Sequence, residues 1–582
     1  HEMPLIISHL SKIKDILNLD QKKELNYFFI LFFIAMLFEM LGIGLIIPLL
    51  NTLVNQDTNF FLINFFEKNN FFQLSNFLKS NAIIFFVVLI LLVYILKTIL
   101  LIYVYKKETN FLKRIRVNLS TRIFQIYLNL PYSFHVHNNS GNLIRNINDI
   151  KIFINFIIHT LSIVIETLIF VGLLIILMLY EPLVTTVVIL ITFTLGFILN
   201  NTIKKKSYTW GKVRQKFEGL KIINTQQTLN SIKEVKVFFK EFFFIKLFEK
   251  IEIKAAESVQ KHDFLIRLPK VILEASLVII LSSLIIILVN LKFDFKEIIP
   301  TLALFTLVSF RVFPSIAKII RSYQIIKFGT PVLDNLKNQI KLTKKSITFS
   351  KNDKKISFSK NIRFKNIDFS YENYSKKIFL NFNFLINKGD LIGIYGDSGN
   401  GKTTFLNILL GLSKPEKGQV LIDGKQDVQD NIKSWNRNVG FVPQNICLLE
   451  GSLKSNIAFG LKNKEIDNNL VNKLVKIVKL EKFVKKLKNG INTTISENGN
   501  NISGGQKQRI GIARALYHDP QLIILDEATN AIDKETSKEI INHIMQKKNN
   551  KTIVIISHDY FVLKNCDKVF NLRNRKLILD KS

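Results

Sequence analysis

The stretch Gly396-Asp397-Ser398-Gly399-Asn400-Gly401-Lys402-Thr403-Thr404 decides the last third of this 582-residue chain. It fits G-x-x-x-x-G-K-[ST], a loop whose glycines let the backbone wrap closely around phosphates. The loop opens a helix whose N-terminus favours anions. Lys402 is placed to reach the β- and γ-phosphates, and Thr403 to ligate Mg²⁺. The apolar run Leu391-Ile392-Gly393-Ile394 just before it reads as a buried strand, the context the motif requires. Four segments follow in order. They are Gln444, then Ile502-Ser503-Gly504-Gly505-Gln506, then Leu522-Ile523-Ile524-Leu525-Asp526-Glu527, then His558. Asp526 closes a second apolar strand, where a carboxylate holds Mg²⁺ directly or through water.

Upstream, the composition changes. Hydrophobic residues make up 48% of the chain, with 49 Phe, yet the net charge is +35. A soluble protein rarely combines the two; a membrane protein with basic faces does. No basic-aromatic motif for nucleic acid stands out, so none is expected as a partner. The two cysteines, Cys447 and Cys566, lie far apart without metal-ligand spacing and read as reduced thiols. Apolar stretches run near 27–50, 82–105, 156–180, 183–203, 271–290 and 298–320. Each has about 20 residues or more, enough to cross a hydrocarbon core of roughly 30 Å. The first is too long for a signal-peptide core and reads as a retained helix. Residues 4–20 pattern as an amphipathic elbow helix, with Ile6, Leu10, Ile13 and Leu17 on one face.

The loops between spans two and three and between four and five are rich in Lys and Arg, and the opposite loops are poor. The positive-inside rule then puts both termini and the nucleotide domain in the cytoplasm. Each basic loop has a turn-rich break, at Phe134–Gly141 and near Ser231–Phe239. The expected division is a membrane α-helical domain of six transmembrane helices with long cytoplasmic extensions (1–330), a linker (331–360), and an α/β P-loop nucleotide-binding domain (361–582).

In this order the motifs resemble the nucleotide-binding domain of an ATP-binding cassette (ABC) protein. The whole layout resembles an ABC exporter of the six-helix half-transporter type. The resemblance implies an ATPase that uses ATP and Mg²⁺, in a bacterial cytoplasmic membrane. It implies that Glu527 polarises the attacking water and that His558 senses the γ-phosphate. Gln444 senses Mg²⁺ and links to the membrane domain. It also implies that Tyr371 stacks on adenine and that Asp533 communicates between sites. Ser503, Gly504, Gly505 and Gln506 grip the ATP bound on another copy. One chain cannot then close a site, so a dimer is implied. The complete motif set makes a homodimer the simplest case, and a heterodimer meets the same need. Two positions depart from the usual pattern: Ile502 replaces Leu, and Asn530-Ala531-Ile532-Asp533 replaces Ser-Ala-Leu-Asp. The breaks in the basic loops match the family's coupling helices; ordinary helical hairpins give the same pattern.

Charges inside the spans bear on what is moved, because each is costly in hydrocarbon. The acids are Glu39, Glu166 and Glu274; the bases are Lys97, Lys270 and Arg311. The bases can line a cavity for an anionic head group, or all six can pair as salt bridges. Phe38-Glu39, Leu268-Pro269-Lys270 and Phe310-Arg311-Val312-Phe313-Pro314 resemble the bacterial flippase for lipid-linked oligosaccharides used in protein N-glycosylation. That resemblance implies a polyprenyl-pyrophosphate-linked substrate engaged by Lys97, Lys270 and Arg311, and a short external helix within 51–81. Peptide, drug or other lipid export is the alternative within transport. An ATP-gated channel or regulator is the alternative of another class.

Overall fold

The computed structural model describes residues 11, 13–55, 81–180, 182–290, 295–342, 356–371, 377–496, 499, 502–546 and 551–581. The chain divides into two units, His1–Ile347 and Thr348–Ser582. Most of the expected external helix falls on residues 56–80 and, like residues 4–10 and 12 of the elbow helix, lies outside the described residues; in the described part of the elbow the chain turns at residues 15–17, so that helix does not run unbroken to 20 as expected.

Among the described residues the first unit is built from helices, with no strand. Its elements are α1 (Leu19–Gly44), α2 (Ile46–Asn55), α3 (Ala82–Asn129), α4 (Tyr132–His137), α5 (Ser140–Asn148), α6 (Ile150–Tyr180), α7 (Pro182–Asn230), α8 (Ile232–Val237), α9 (Glu241–Asn290) and α10 (Phe295–Lys341). Three helical stretches among the described residues are long and apolar enough to cross a membrane: Leu19–Leu50, Ala82–Asn129 and Ser140–Leu179. The other expected spans lie inside α7, α9 and α10. The first half of α3 shows why these helices need lipid. Ile84, Leu91, Ile95, Ile99 and Ile102 stand exposed along it. Such a surface is untenable in water and ordinary against acyl chains. Further on, α3 turns amphipathic and buries Phe111, Ile115, Leu119, Ile123 and Ile126 among α1, α6 and α10.

The breaks expected in the basic loops are present. Pro131 precedes α4, where its missing N–H costs nothing, and Asn139 caps α5 by accepting from the Gly141 N–H at 2.9 Å. The linker expected from 331 begins later, because α10 continues to Lys341. Val332, Leu333 and Leu336 keep the helical spacing of the core face and are buried, so the chain has no reason to stop at 330.

The second unit is α/β. An antiparallel sheet has the order β2-β1-β4-β5, from Phe379–Asn387, Asn361–Phe369, Lys417–Ile422 and Gln426–Asp427. A six-stranded sheet has the order β10-β9-β3-β8-β7-β6. Its strands are β3 (Leu391–Tyr395), β6 (Val439–Val442), β7 (Leu522–Asp526), β8 (Thr552–Ile556), β9 (Lys568–Arg573) and β10 (Lys576–Lys581). The core is rich in Phe: Phe364 stacks on Phe405 at 4.9 Å, and Phe379, Phe382 and Phe384 join them. Buried Trp435 donates its indole N–H to the Leu409 carbonyl at 2.8 Å, satisfying the end of α11 (Lys402–Leu409).

Gly211 of α7 lies against the Phe328 backbone of α10, and an added Cβ there would strike the Phe328 carbonyl. Gly211→Ala should force the two helices apart at a cost of about 1–3 kcal/mol. The expected result is a melting temperature several degrees lower for the detergent-solubilised protein.

Candidate functional site

Parallel pairing builds the nucleotide site. In the registers of β3, β8 and β7, Ile394 stands beside Ile556 and Ile556 beside Asp526. On the next strand Val442 stands beside Leu525. The carboxyl ends of four strands are therefore nearly level, as in ligand-binding α/β sheets. The loops leaving them carry residues 396–404, His558, Glu527 and Gln444 to one place.

The glycine loop uses conformations open only to glycine. Gly401 sits at φ +99°, and a Cβ there would meet Ile378 at 2.8 Å. Gly396 also has positive φ, and a Cβ would meet the Leu572 carbonyl at 2.6 Å. Asn400 pins the loop to that same carbonyl at 3.0 Å. Lys402 folds back so that its ammonium donates to the carbonyls of Gly396 and, at 3.2 Å, Asp397. Burial lowers its pKa, while Glu527, Asp397 and Asp526 act against that. Tyr371 sits edge-on to Phe369 at 5.1 Å, with its hydroxyl 3.3 Å from Thr404 Oγ1.

Glu527 is the centre of the arrangement. It adopts φ +50°, a left-handed conformation that costs a non-glycine residue about 1–2 kcal/mol. Its N–H donates to the Ile556 carbonyl at 2.9 Å, and its carbonyl accepts from Gln508 at 3.3 Å. Three side chains converge on its carboxylate. Gln444 Nε2 donates to Oε2 at 2.8 Å, Asn530 Nδ2 donates to Oε2 at 3.0 Å, and His558 Nε2 lies 3.0 Å from Oε1. His558 Nε2 is also 3.2 Å from Lys402 Nζ. A protonated Nε2 donates to the glutamate and an unprotonated one accepts from the lysine, so the two contacts belong to different tautomers. Gln508 and Asn530 were not among the expected site residues. The signal for Asn530 was its departure from the usual serine.

Asp526 beside Glu527 is pushed up to about 6, first by burial, then by the Glu527 charge, with Lys402 opposing. A half-buried acid next to a hydroxyl-bearing phosphate loop suits a divalent cation. Thr403, Asp526 and the Gln444 carbonyl would supply oxygen donors of the kind Mg²⁺ prefers. Among the described residues no group of three or more His, Cys, Asp or Glu side chains could hold another metal ion.

Ser503 stands apart from this cluster. It caps α12 (Gly504–Leu516), accepting from Gln506 N at 3.3 Å while Gln506 Oε1 accepts from Ser503 N at 3.0 Å. Ser503 and Gly504 are exposed, and no hydrogen bond joins Ser503 to the glycine loop among the described residues. A Cβ on Gly505 would strike the Ala531 carbonyl at 2.6 Å. Asp533 accepts from Thr536 N at 2.9 Å at the start of α13 (Lys534–Gln546).

In the membrane unit the structure joins two of the three expected substrate cations through one acid. Glu39 Oε2 is 2.7 Å from Lys97, and Oε1 is 2.7 Å from Arg311. Arg311 extends toward Glu166 at 4.0 Å, and Glu166 takes Lys318 at 2.6 Å and Ser315 at 2.8 Å. Lys270 is elsewhere, exposed and 3.7 Å from Glu274, one turn along α9. It lines a cavity of about 1180 Å³ formed by α6, α9 and α10, with Arg267, Lys318 and Arg321 beside it. Sequence reading missed these three because they lie at or beyond the apolar spans.

Residues 25–312 match the ABC transporter transmembrane region, and residues 379–530 match the ABC transporter domain itself. The chain is an ABC half-transporter, one membrane domain fused to one ABC ATPase domain. A bacterial Atm1-family ABC exporter, solved with ATP bound, has the same fold with a TM-score of 0.74, covering 93% of each chain at 20% identity. A putative export ATP-binding/permease protein of Rickettsia felis is 37% identical over 221 residues, 38% of this half-transporter and 37% of the relative. A leukotoxin export ATP-binding protein of Aggregatibacter actinomycetemcomitans is 41% identical over 37% of this chain and 30% of its own length. An ATP-dependent lipid A-core flippase of Colwellia psychrerythraea is 34% identical over 38% of this chain and 37% of its own. The half-transporter thus aligns with less than two fifths of these relatives' length.

The raised Asp526 carboxyl has a consequence for stability. Its folded pKa lies above the usual carboxylate value, so the ionised form opposes folding above about pH 6 and the cost fades as pH falls. Asp526→Asn should therefore melt higher than wild type at pH 7.5, with the gain shrinking by pH 5. Thermal melts at the two pH values check this.

Proposed function

We propose that this half-transporter is an ATP-driven exporter that works as a homodimer in a bacterial cytoplasmic membrane and moves an anionic amphiphile outward. The observation that carries the reading is the convergence of Lys402, Gln444, Glu527 and His558 on one edge of a sheet. It occurs in a chain that also holds long lipid-facing helices. Lys402 and the loop amides bind the phosphates of ATP, and Tyr371 offers its ring to the base. Thr403, Gln444 and Asp526 would hold Mg²⁺, which supplies charge neutralisation at the phosphates. Glu527 orients and polarises the attacking water, and His558 contacts the γ-phosphate. Ser503, exposed at the start of α12, and Gly505 beside it complete the site of a second copy, so ATP binding closes the pair and hydrolysis releases it. Both termini and the ATPase domain face the cytoplasm.

The cavity supports the substrate class. Its cations Arg267, Lys270, Lys318 and Arg321 outnumber its acids, Asp263 and Glu274. Neither Arg267 nor Arg321 forms an ion pair among the described residues. Guanidinium forks suit phosphate oxygens, and the lining also carries Phe310, Phe313 and Leu277 for a hydrocarbon portion. A polyprenyl-pyrophosphate-linked oligosaccharide has this chemistry and is the substrate we favour. Glu39 shares the charge of Lys97 and Arg311 in this state, which leaves the head group to the cavity arginines and Lys270.

In proteoliposomes, Glu527→Gln should bind ATP without turnover and should not translocate a labelled polyprenyl-pyrophosphate oligosaccharide that the wild type moves. Normal turnover in that variant would overturn the ATPase assignment. Arg267→Ala with Arg321→Ala should keep basal ATPase and reduce translocation at least tenfold. Unimpaired translocation would remove the cavity from the substrate path.

A further inference from the structure

We infer that Asn530 is a positioning residue for Glu527, anchoring one carboxylate oxygen so that the other is presented to water. The inference rests on the ATPase reading above and assigns a residue that reading leaves unused.

Asn530 lies three residues after Glu527 and is bonded to it twice. Its backbone N–H donates to the Glu527 carbonyl at 3.3 Å, and its Nδ2 donates to Oε2 at 3.0 Å. The first bond fixes where the asparagine starts, and the second uses its side chain. Glu527 itself is held on its backbone by Ile556 and Gln508. Its left-handed φ sets the direction in which the carboxylate leaves the chain. The remaining freedom is rotation of the side chain, and that is what a bond to Oε2 removes.

The other two donors have competing duties. Gln444 supplies the same amide that is proposed to turn toward Mg²⁺ and phosphate, and His558 is within reach of Lys402 as well as Glu527. A bound nucleotide draws both away. Asn530 makes no side-chain hydrogen bond other than the one to Glu527 among the described residues, so it is the donor that stays. The division of labour follows. Oε2 is held by Asn530, while Oε1, released by His558, is free to accept a water proton. Holding a reacting group in one orientation is worth orders of magnitude in rate, and a loss of alignment at this carboxylate appears in turnover rather than in binding.

The chemistry demands a donor here. The amide Nδ2 can only donate, whereas a carboxylate in the same shape can only accept and would repel Glu527. Asn530→Ala and the nearly isosteric Asn530→Asp therefore separate the inference from mere space filling. Steady-state ATPase of the full-length protein should show kcat reduced about tenfold in Asn530→Ala and at least as much in Asn530→Asp. KM for ATP, the Kd for ADP and the melting temperature should stay at wild-type values, since Asn530 is exposed. Wild-type kcat in either variant overturns the inference, as does a loss confined to KM, which would make Asn530 a nucleotide contact. If Asn530→Ala does not fold, the Asp variant decides alone. The ATPase reading fails separately, by absence of turnover in the wild type or normal turnover in Glu527→Gln.

Discussion

The parallel pairing of β3, β8, β7 and β6 is the constraint on which the nucleotide site depends. Backbone hydrogen bonds set the register, and the register brings four strand ends nearly level. Lys402, Gln444, Asp526, Glu527 and His558 all follow from one of those ends. A shift of two residues on β7 would move Asp526 by about 6.6 Å and empty the site. The apolar strands that enforce the register are buried on both faces, as parallel strands must be. The strength of the sheet core and the accuracy of the site are therefore the same property.

Glu527 shows how local strain is sustained by that frame. A left-handed glutamate is unfavourable by itself, yet it turns the side chain off the strand axis toward Gln444, Asn530 and His558. Its N–H remains bonded to Ile556, so the neighbouring strand compensates for the distortion. Three donors on one carboxylate stabilise its charge in a partly buried place. Asp526, next in line, is pushed up to about 6 by its burial and by the Glu527 charge beside it.

The membrane unit solves the opposite problem, that of charge in an apolar bundle. The sequence Lys97–Glu39–Arg311–Glu166–Lys318 alternates in sign through the helices, and each acid touches two bases. Each carboxylate is thereby compensated on both sides, which a simple pair would not achieve, and the helices α1, α3, α6 and α10 are tied together. The excess of bases over acids is left toward the cavity, where Lys318 joins Lys270, Arg267 and Arg321. Lys318 is paired with Glu166 and Lys270 with Glu274, so Arg267 and Arg321 are the cavity bases without an ion pair among the described residues.

Much of this was legible before any coordinates. The glycine loop, the strand ending in Asp526-Glu527 and the order of Gln444, Ser503 and His558 are local patterns, because phosphate binding demands particular residues at particular spacings. The long apolar runs and the breaks near 134–141 and 231–239 are equally local, since helices and turns answer to neighbours in sequence. The linker expected from 331 begins later because α10 runs on to Lys341, its last turns held by the burial of Leu333 and Leu336 against the helical core. What only the tertiary structure decided was partnership. Lys97 and Arg311 share Glu39 across 58 and 272 positions of chain, while Lys270 lines a cavity with Arg267, Lys318 and Arg321. A charge in a sequence has a sign but no address. Its partner is set by which helices pack and which strand ends align, and that depends on contacts distant in the chain.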